Sequence, residues 1–367
     1  MNKKLIALAV AGVTLAPAVM AQTANPVTLY GRIYVTYNTA KANGSGVPGG
    51  VATPSISSRS SVKDESSFIG FRGTEDLGGG LKAFFQLESS APPDAGGGTF
   101  ASRNSAVGLQ GAFGSVLLGN WDTPFKVTSL VADPTGQLTI GDPLAIISTA
   151  ATGGSVPFNR RQNNSLQYWT PNINGFSGRF LFSPNEGKTA TANPTTLGLN
   201  VSYAGGPVTV AYAYETHKDQ INGNGAAGNG TAAGVTEKGS ELTGTFKFGD
   251  FKVGALAQRF DRTAKTKQKV AMVSGQYDIG KHSLWALYAK SKDGLASSAA
   301  KQPEGKMVSF GYYYNFSKRT TFVAAYSSVV NNYVSGFSFN GTGTATAVVA
   351  GPGNDPKGFG VGLRHLF

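Results

Sequence analysis

Cysteine is absent, which excludes a disulfide-stapled fold and a Cys-ligated zinc scaffold. Charge is scarce as well: Asp, Glu, Lys and Arg make up 14% of the 367 residues, against ~25% in an ordinary soluble domain. A chain this poor in charge should be rich in apolar core, yet its hydrophobic residues reach only 40% and its mean hydropathy is −0.11. Beyond the first 21 residues no apolar run is long. Pieces such as Leu144-Ala145-Ile146-Ile147 fall far short of the ~20 residues a membrane helix needs. Nor are there the Ala/Glu/Lys/Leu-rich stretches of helical bundles and coiled coils. The space is filled instead by 50 Gly, 22 Phe and 14 Tyr, with Ser, Thr and Asn: the vocabulary of strands and tight turns.

Residues 1–21 read as a cleaved export leader. Lys3 and Lys4 open an apolar stretch that ends in Val19-Met20-Ala21, small or permissive residues of the kind a signal peptidase accepts. The mature domain is then 22–367. An exported chain without helical spans is either soluble or a membrane β-barrel, because only helices and closed barrels satisfy their backbone in lipid.

The pattern after the leader has a period of two. Leu29, Gly31, Ile33 and Val35 alternate with Thr28, Arg32 and Thr36; Leu242, Gly244, Phe246 and Phe248 alternate with Glu241, Thr243, Thr245 and Lys247. Phe310–Phe316 and Val361–Phe367 repeat it. Short connections are expected at Thr74–Gly80, Ala112–Gly114, Pro171–Gly175, Ala204–Pro207, Gly249–Asp250, Asp278–Gly280 and Asn315–Lys318. Long ones are expected at 39–59, 90–103, 122–160, 184–193, 217–237, 262–267, 292–303 and 332–356. The two kinds alternate, as the short periplasmic turns and long external loops of an outer-membrane barrel do. Seven turns and eight loops join sixteen strands, enough to enclose an aqueous channel. Aromatics near strand ends, among them Tyr30, Tyr168, Trp169, Phe251 and Phe316, suit interfacial girdles.

Specific motifs add a resemblance. Val-Thr-Leu-Tyr-Gly at 27–31, Gly-Phe-Arg-Gly-Thr-Glu-Asp-Leu-Gly-Gly-Gly-Leu-Lys-Ala at 70–83, Gln-Leu-Glu at 86–88, Tyr-Tyr-Asn-Phe-Ser-Lys-Arg-Thr at 313–320 and Gly-Leu-Arg-His-Leu-Phe at 362–367 resemble the general trimeric porins of Gram-negative outer membranes, in their β-proteobacterial branch. The resemblance implies an all-β, sixteen-stranded antiparallel transmembrane barrel, a homotrimer, and a third external loop folded inward. It also implies that the terminal aromatic, Phe367, is read by the barrel-assembly machinery.

The segment 122–160, with Pro124, Pro134, Pro143 and Pro157, is the expected third loop; it carries Asp122, Asp133 and Asp142. Strand parity places Arg32, Arg72, Lys82, Arg103, Arg161 and Arg179 on the polar face opposite it. In porins resembling this one, such arginines face acidic loop residues and set a transverse field. Phe68 and Asn120 stand where the family often has basic residues, which thins the ladder. The Pro-Glu-Phe-Gly-Gly motif of enterobacterial third loops is absent.

Other chemistries find little support. Gly44-Ser-Gly-Val-Pro-Gly49 matches a dinucleotide-binding glycine pattern, but Pro48 and Pro54 forbid the helix that must follow. His217, His282 and His365 are far apart in the sequence, and neither a catalytic motif nor a metal or cofactor motif accompanies them. A pI of ≈ 9.7 would suit nucleic acid, yet the basic residues are dispersed; Lys265–Lys269, the densest run, suits a solvated loop or lipopolysaccharide phosphate. The expectation is a passive channel for small hydrophilic solutes, preferring anions, and no enzyme. A solute-specific channel of the same architecture and a secreted soluble β adhesin are the alternatives.

Overall fold

The computed structural model describes residues 27–44, 53–147, 158–220, 231–262, 267–293, 302–339 and 351–367. The leader expected at 1–21 lies outside them, as do parts of several expected loops and Lys265. The alternating segments form β1 (Thr28–Asn43), β2 (Ile56–Asp64), β3 (Phe68–Gly78), β4 (Leu81–Ser90), β5 (Ser105–Gly111), β6 (Gly114–Asp122), β7 (Arg161–Trp169), β8 (Phe176–Ser183) and β9 (Thr195–Gly205). They continue as β10 (Val208–Gln220), β11 (Thr231–Phe248), β12 (Phe251–Asp261), β13 (Lys267–Ile279), β14 (His282–Asp293), β15 (Glu304–Asn315), β16 (Thr320–Asn331) and β17 (Asp355–Leu366). One six-residue helix, α1 (Pro124–Ser129), follows β6. No helix among the described residues is long and apolar enough to cross a membrane.

The sheet closes on itself. β17 pairs antiparallel with β1 from Arg32↔Leu366 to Asn43↔Asp355, and Phe367 completes the seam by exchanging two backbone hydrogen bonds with Gly31, both 3.1 Å. Closure leaves no strand edge facing lipid, where each orphaned backbone group would cost several kcal/mol. β2 and β3 are one stave in two pieces: β2 pairs with the loop half of β1 and β3 with its turn half. Between them the Asp64 carboxylate accepts from the Ser66 and Ser67 N–H groups at 3.0 and 2.9 Å, and Ser66 adopts φ 67°. Seventeen segments therefore make the sixteen staves expected.

The short connections fall where the turn residues put them. At Gly249–Asp250 the chain reverses in two residues, with Gly249 at φ 59°, a left-handed conformation that glycine takes without steric cost. On the loop side the strands run further than expected: β10 reaches Gln220 and β11 begins at Thr231, inside the stretch 217–237 assigned to a loop. The ladder continues there through His217 opposite Glu237, Lys218 opposite Thr236 and Gln220 opposite Thr231.

Outward positions are apolar and exposed, as with Leu29, Val107, Leu118, Leu242, Val273 and Phe310. In water such a band would be an aggregation surface; around a barrel it is the lipid-facing belt. At the turn end, Phe248, Phe251 and Tyr277 stack at 5.5 and 4.3 Å between ring centroids, an aromatic girdle. Two expected girdle residues turn out to face inward. Tyr30 donates to Glu88 Oε1 at 2.9 Å, and Trp169 shares its face with its partner Arg179.

The third loop starts with α1. Thr123 caps it, its hydroxyl accepting from the Lys126 N–H at 3.2 Å, and Pro124 supplies a preset first turn. The Thr128 hydroxyl donates back to the Pro124 carbonyl at 2.8 Å, and the Ser129 Oγ lies 3.2 Å from the Phe125 carbonyl. The loop buries Phe125, Ile146, Ile147 and Phe158 against the inward residues Phe260, Met272, Ala289, Met307 and Val329 of β12–β16. Ile140 continues this packing with Ala40, Trp285, Leu287 and Ala325. Polar pins flank the apolar seam: Ser129 Oγ donates to Glu241 Oε2 at 2.7 Å, and Asn200 Nδ2 donates to Thr128 Oγ1 at 3.1 Å. The loop thus lines the inside of the barrel and occupies one side of the lumen.

Candidate functional site

Across the lumen from that seam, the strands from β1 to β7 bring charges to one level. Arg32 on β1, Lys63 on β2, Arg103 just before β5, Asp122 at the end of β6 and Arg161 at the start of β7 line a cavity of about 260 Å³. Lys126, Leu138 and Asp142 of the third loop close it from the other side.

The break in the second stave organises the arginines. Arg32 Nη2 donates to the Ser66 carbonyl and Arg103 Nη1 to the Ser66 hydroxyl, each at 2.7 Å. Both guanidinium groups also lie over the Phe68 ring, 5.2 and 4.8 Å from its centroid, within cation–π range. Phe68, which looked like a gap in the ladder, is its platform. Asn120 Nδ2 donates to the Arg103 carbonyl at 2.9 Å, so it fixes the backbone of one arginine in place of supplying another.

Carboxylates at this level are already engaged. Asp122 Oδ1 lies 2.8 Å from Lys126 Nζ and 3.3 Å from Arg161 Nε. Glu65 holds Lys63 at 3.2 Å, and Glu88 lies 3.6 Å from Arg103. Asp142 Oδ1 caps the Leu144 N–H at 2.8 Å. Among the described residues no carboxylate lies within 4.0 Å of Arg32. Crowding shows in Lys126: burial lowers its pKa, Asp122 opposes this, and Arg161 adds to the lowering. One carboxylate shared by two cations leaves the cations in excess.

The other expected residues share the face and not the level. Arg72 lies four residues along β3 from Phe68, about 13 Å at ~3.3 Å per residue, over the Tyr30 ring at 4.8 Å. Lys82 is exposed and pairs across from Asp76 beside the turn. Arg179 stacks on Trp169 at 4.6 Å and lines a separate cavity under α1 with Thr128, Asn200 and Ser202. Asp133 is turned into the loop, accepting from the Thr135 N–H and hydroxyl and from the Gln137 N–H at 2.7–2.8 Å; burial raises its pKa. Lys63, Glu65, Glu88 and Lys126 belong to the cluster and were not singled out by parity. Lys63 precedes Asp64 in an ordinary polar stretch and Lys126 sits between Phe125 and Val127, and only the fold shows their height.

A family model described as Gram-negative porin matches residues 7–333. The chain belongs to that family. It is 30% identical over 377 residues to "Outer membrane porin protein 32" of Delftia acidovorans, covering both chains in full. It is also 34% identical over 212 residues to the "Major outer membrane protein P.IB" of Neisseria gonorrhoeae, about half of either chain. Among solved structures, the "Anion-selective porin from Comamonas acidovorans" superposes with a TM-score of 0.75 at 29% identity, covering 94% of this chain and all of that one. A trimer form of OmpT from Vibrio cholerae shares the fold, with a TM-score of 0.65 at 19% identity. The molecule is an outer-membrane porin of the β-proteobacterial branch, a closed sixteen-stranded barrel with a channel through it.

Proposed function

We propose that this porin passes small hydrophilic solutes by diffusion, prefers anions, and works as a homotrimer. The observation that carries the preference is the group Arg32, Arg103 and Arg161 at one level of the lumen, with Asp122 neutralised twice and Asp142 serving the loop's own backbone. At a screening length of about 8 Å in physiological salt, charges on the wall of a narrow passage act on every ion that crosses it. Phe68 and Ser66 hold two guanidinium groups in place, so the field is built into the wall. The relative described as an anion-selective porin agrees with this reading. Arg72, Lys82 and Arg179 line the approach from the turn side and assist it more weakly. No catalytic role is proposed.

The test is the zero-current potential of single channels in a KCl gradient. Replacing Arg32, Arg103 and Arg161 together with Gln shifts it toward K⁺, whereas the same change at exposed Lys267 and Lys269 leaves it nearly unmoved. A wild-type preference for K⁺, or a stronger effect from the loop lysines, overturns the proposal. Three further assignments complete it: residues 1–21 are removed on export, Phe367 marks the chain for the assembly machinery, and lipopolysaccharide surrounds the external half of the barrel. Deleting Phe367 lowers the yield of trimers in the outer membrane; a normal yield contradicts its role.

A further inference from the structure

Between α1 and the turn ends of β7–β10 the inward wall is built from small residues. Arg179 on β8 stands between Trp169 on β7 and Asn200 on β9. Two residues along, Ser177 pairs with Ser202, and Ser202 with Ala211 on β10. Two further along, Ala204 pairs with Thr209. α1 packs against β8, β9 and β10 and roofs this patch with Val127 and Thr128, helped by Val131 just beyond it. The space left between roof and wall is a cavity of about 320 Å³. At ~30 Å³ per water it holds roughly ten waters, or one small solute.

The polar groups of this cavity have hydrogen-bonding capacity to offer. Arg179 lies over the Trp169 ring at 4.6 Å, and the indole is held by its N–H donating to Gln167 Oε1 at 3.0 Å. Among the described residues no carboxylate lies within 4.0 Å of Arg179. Asp122, whose charge reaches it, is taken by Lys126 and Arg161. The Thr128 hydroxyl gives its proton to the Pro124 carbonyl, so it can only accept from Asn200 Nδ2, at 3.1 Å. Asn200 Oδ1 is thereby left buried with no partner, a state that costs free energy until a donor arrives. The hydroxyls of Ser177 and Ser202 share one hydrogen bond of 2.9 Å; the second proton has only a long 3.4 Å contact to the Ser177 carbonyl. Thr209 contributes a further hydroxyl.

This inventory selects a solute. No carboxylate lines the cavity, so nothing there receives an ammonium group. A purely apolar acid would strip water from the hydroxyls and return no hydrogen bonds. A neutral sugar leaves the guanidinium without a counter-charge, and a doubly charged phosphate ester is better matched by Arg32, Arg103 and Arg161 together. What fits is a body rich in hydroxyls that bears one carboxylate. We infer that the cavity is a docking site for sugar acids. The carboxylate forks onto Arg179, the neighbouring hydroxyl donates to Asn200 Oδ1, and further hydroxyls meet Ser177, Ser202 and Thr209, with C–H groups against Val127 and Val131. This deepens the diffusion reading by naming a class of solute that pauses in passage, and it rests on that reading only for the water-filled channel beside the cavity.

The experiment records single channels in a planar bilayer in KCl, with potassium gluconate, glucose, glucose 6-phosphate or potassium acetate added on the turn side. Gluconate interrupts the current at a frequency that saturates with concentration, and its interruptions outlast those of the other three solutes. Arg179→Gln shortens them about tenfold, the factor that a hydrogen bond to a charged group is worth. Ser177→Ala with Ser202→Ala shortens them about threefold. Ala204→Phe, which removes no polar group and fills part of the cavity, shortens them too. The inference is overturned if gluconate causes no interruptions, if any of the other solutes matches it, or if Arg179→Gln leaves their duration unchanged. The zero-current potential of the wild type in a KCl gradient separates the two readings. A Cl⁻ preference without gluconate interruptions removes this site and keeps the anion-preferring pore; a K⁺ preference with the interruptions intact removes that preference and keeps the site.

Discussion

Along β10–β16 the inward side chains include Ala213, Leu256, Phe260, Met272, Ala289, Met307 and Val329, whereas at the level of the cavity the strands from β1 to β7 present Arg32, Lys63, Glu65, Asp122 and Arg161. The first wall is dry, covered by the third loop, and its task is adhesion. The second is wet, and its charges face open space. Both belong to one closed ladder, so the difference lies in side chains alone. An inward position carries a polar residue where water or solute passes and an apolar one where the chain packs on itself. A porin interior is therefore half core and half channel, and the boundary between the halves is where the third loop ends.

The largest expected change comes from breaking the dry half. Replacing Val131–Gly154 with a short Gly/Ser linker removes the covering from the apolar wall, and single-channel conductance rises while the barrel stays folded. An unchanged conductance would put the loop outside the lumen. A milder version is Phe125→Ala, which costs about 3–5 kcal/mol of loop packing by the usual range for buried Phe→Ala and produces noisy openings in the same recording.

The boundary itself is tested by Asp122→Asn. It frees Lys126 and Arg161 from their shared carboxylate, so the zero-current potential moves further toward Cl⁻. The lost charged contacts, at about 1.5–3 kcal/mol each, lower the thermal midpoint of the trimer. An unmoved potential, or a shift toward K⁺, would mean that the freed Lys126 and Arg161 do not act on passing ions. The smallest effect belongs to Arg72→Gln. It lies about 13 Å along the strand from the arginine pair, beyond one screening length, so it changes selectivity far less than Arg103→Gln.

Much of the barrel could be read from the chain. Leu29, Ile33 and Val35 against Arg32 and Thr36 name a face with no further information, because the pleat has a period of two. Turns such as Gly249–Asp250 announce themselves through a glycine with no alternative role. The interruption at Glu65–Ser67 was hidden, because neither Gly nor Pro marks it; it arises from Asp64 bonding the next two backbone N–H groups. The site was half legible for a related reason. Parity assigns Arg32, Arg72, Lys82 and Arg179 to one face with equal weight, yet height along the barrel depends on register between strands far apart in the chain, which no local pattern encodes. Hence Arg32 and Arg161 belong to the cluster while Arg72 and Arg179 do not; Lys63 joins it from a stretch that looks merely polar, and Lys126 from between Phe125 and Val127.

The interruption between β2 and β3 also bears on how this channel can drift genetically. Arg32 is oriented by the Ser66 carbonyl, a main-chain group that every amino acid possesses, whereas Arg103 is oriented by the Ser66 hydroxyl. Variation at codon 66 can therefore slacken one arginine and leave the anchor of the other untouched. Ion preference in descendants of this gene has a floor set by the backbone and an adjustable part set by a single oxygen.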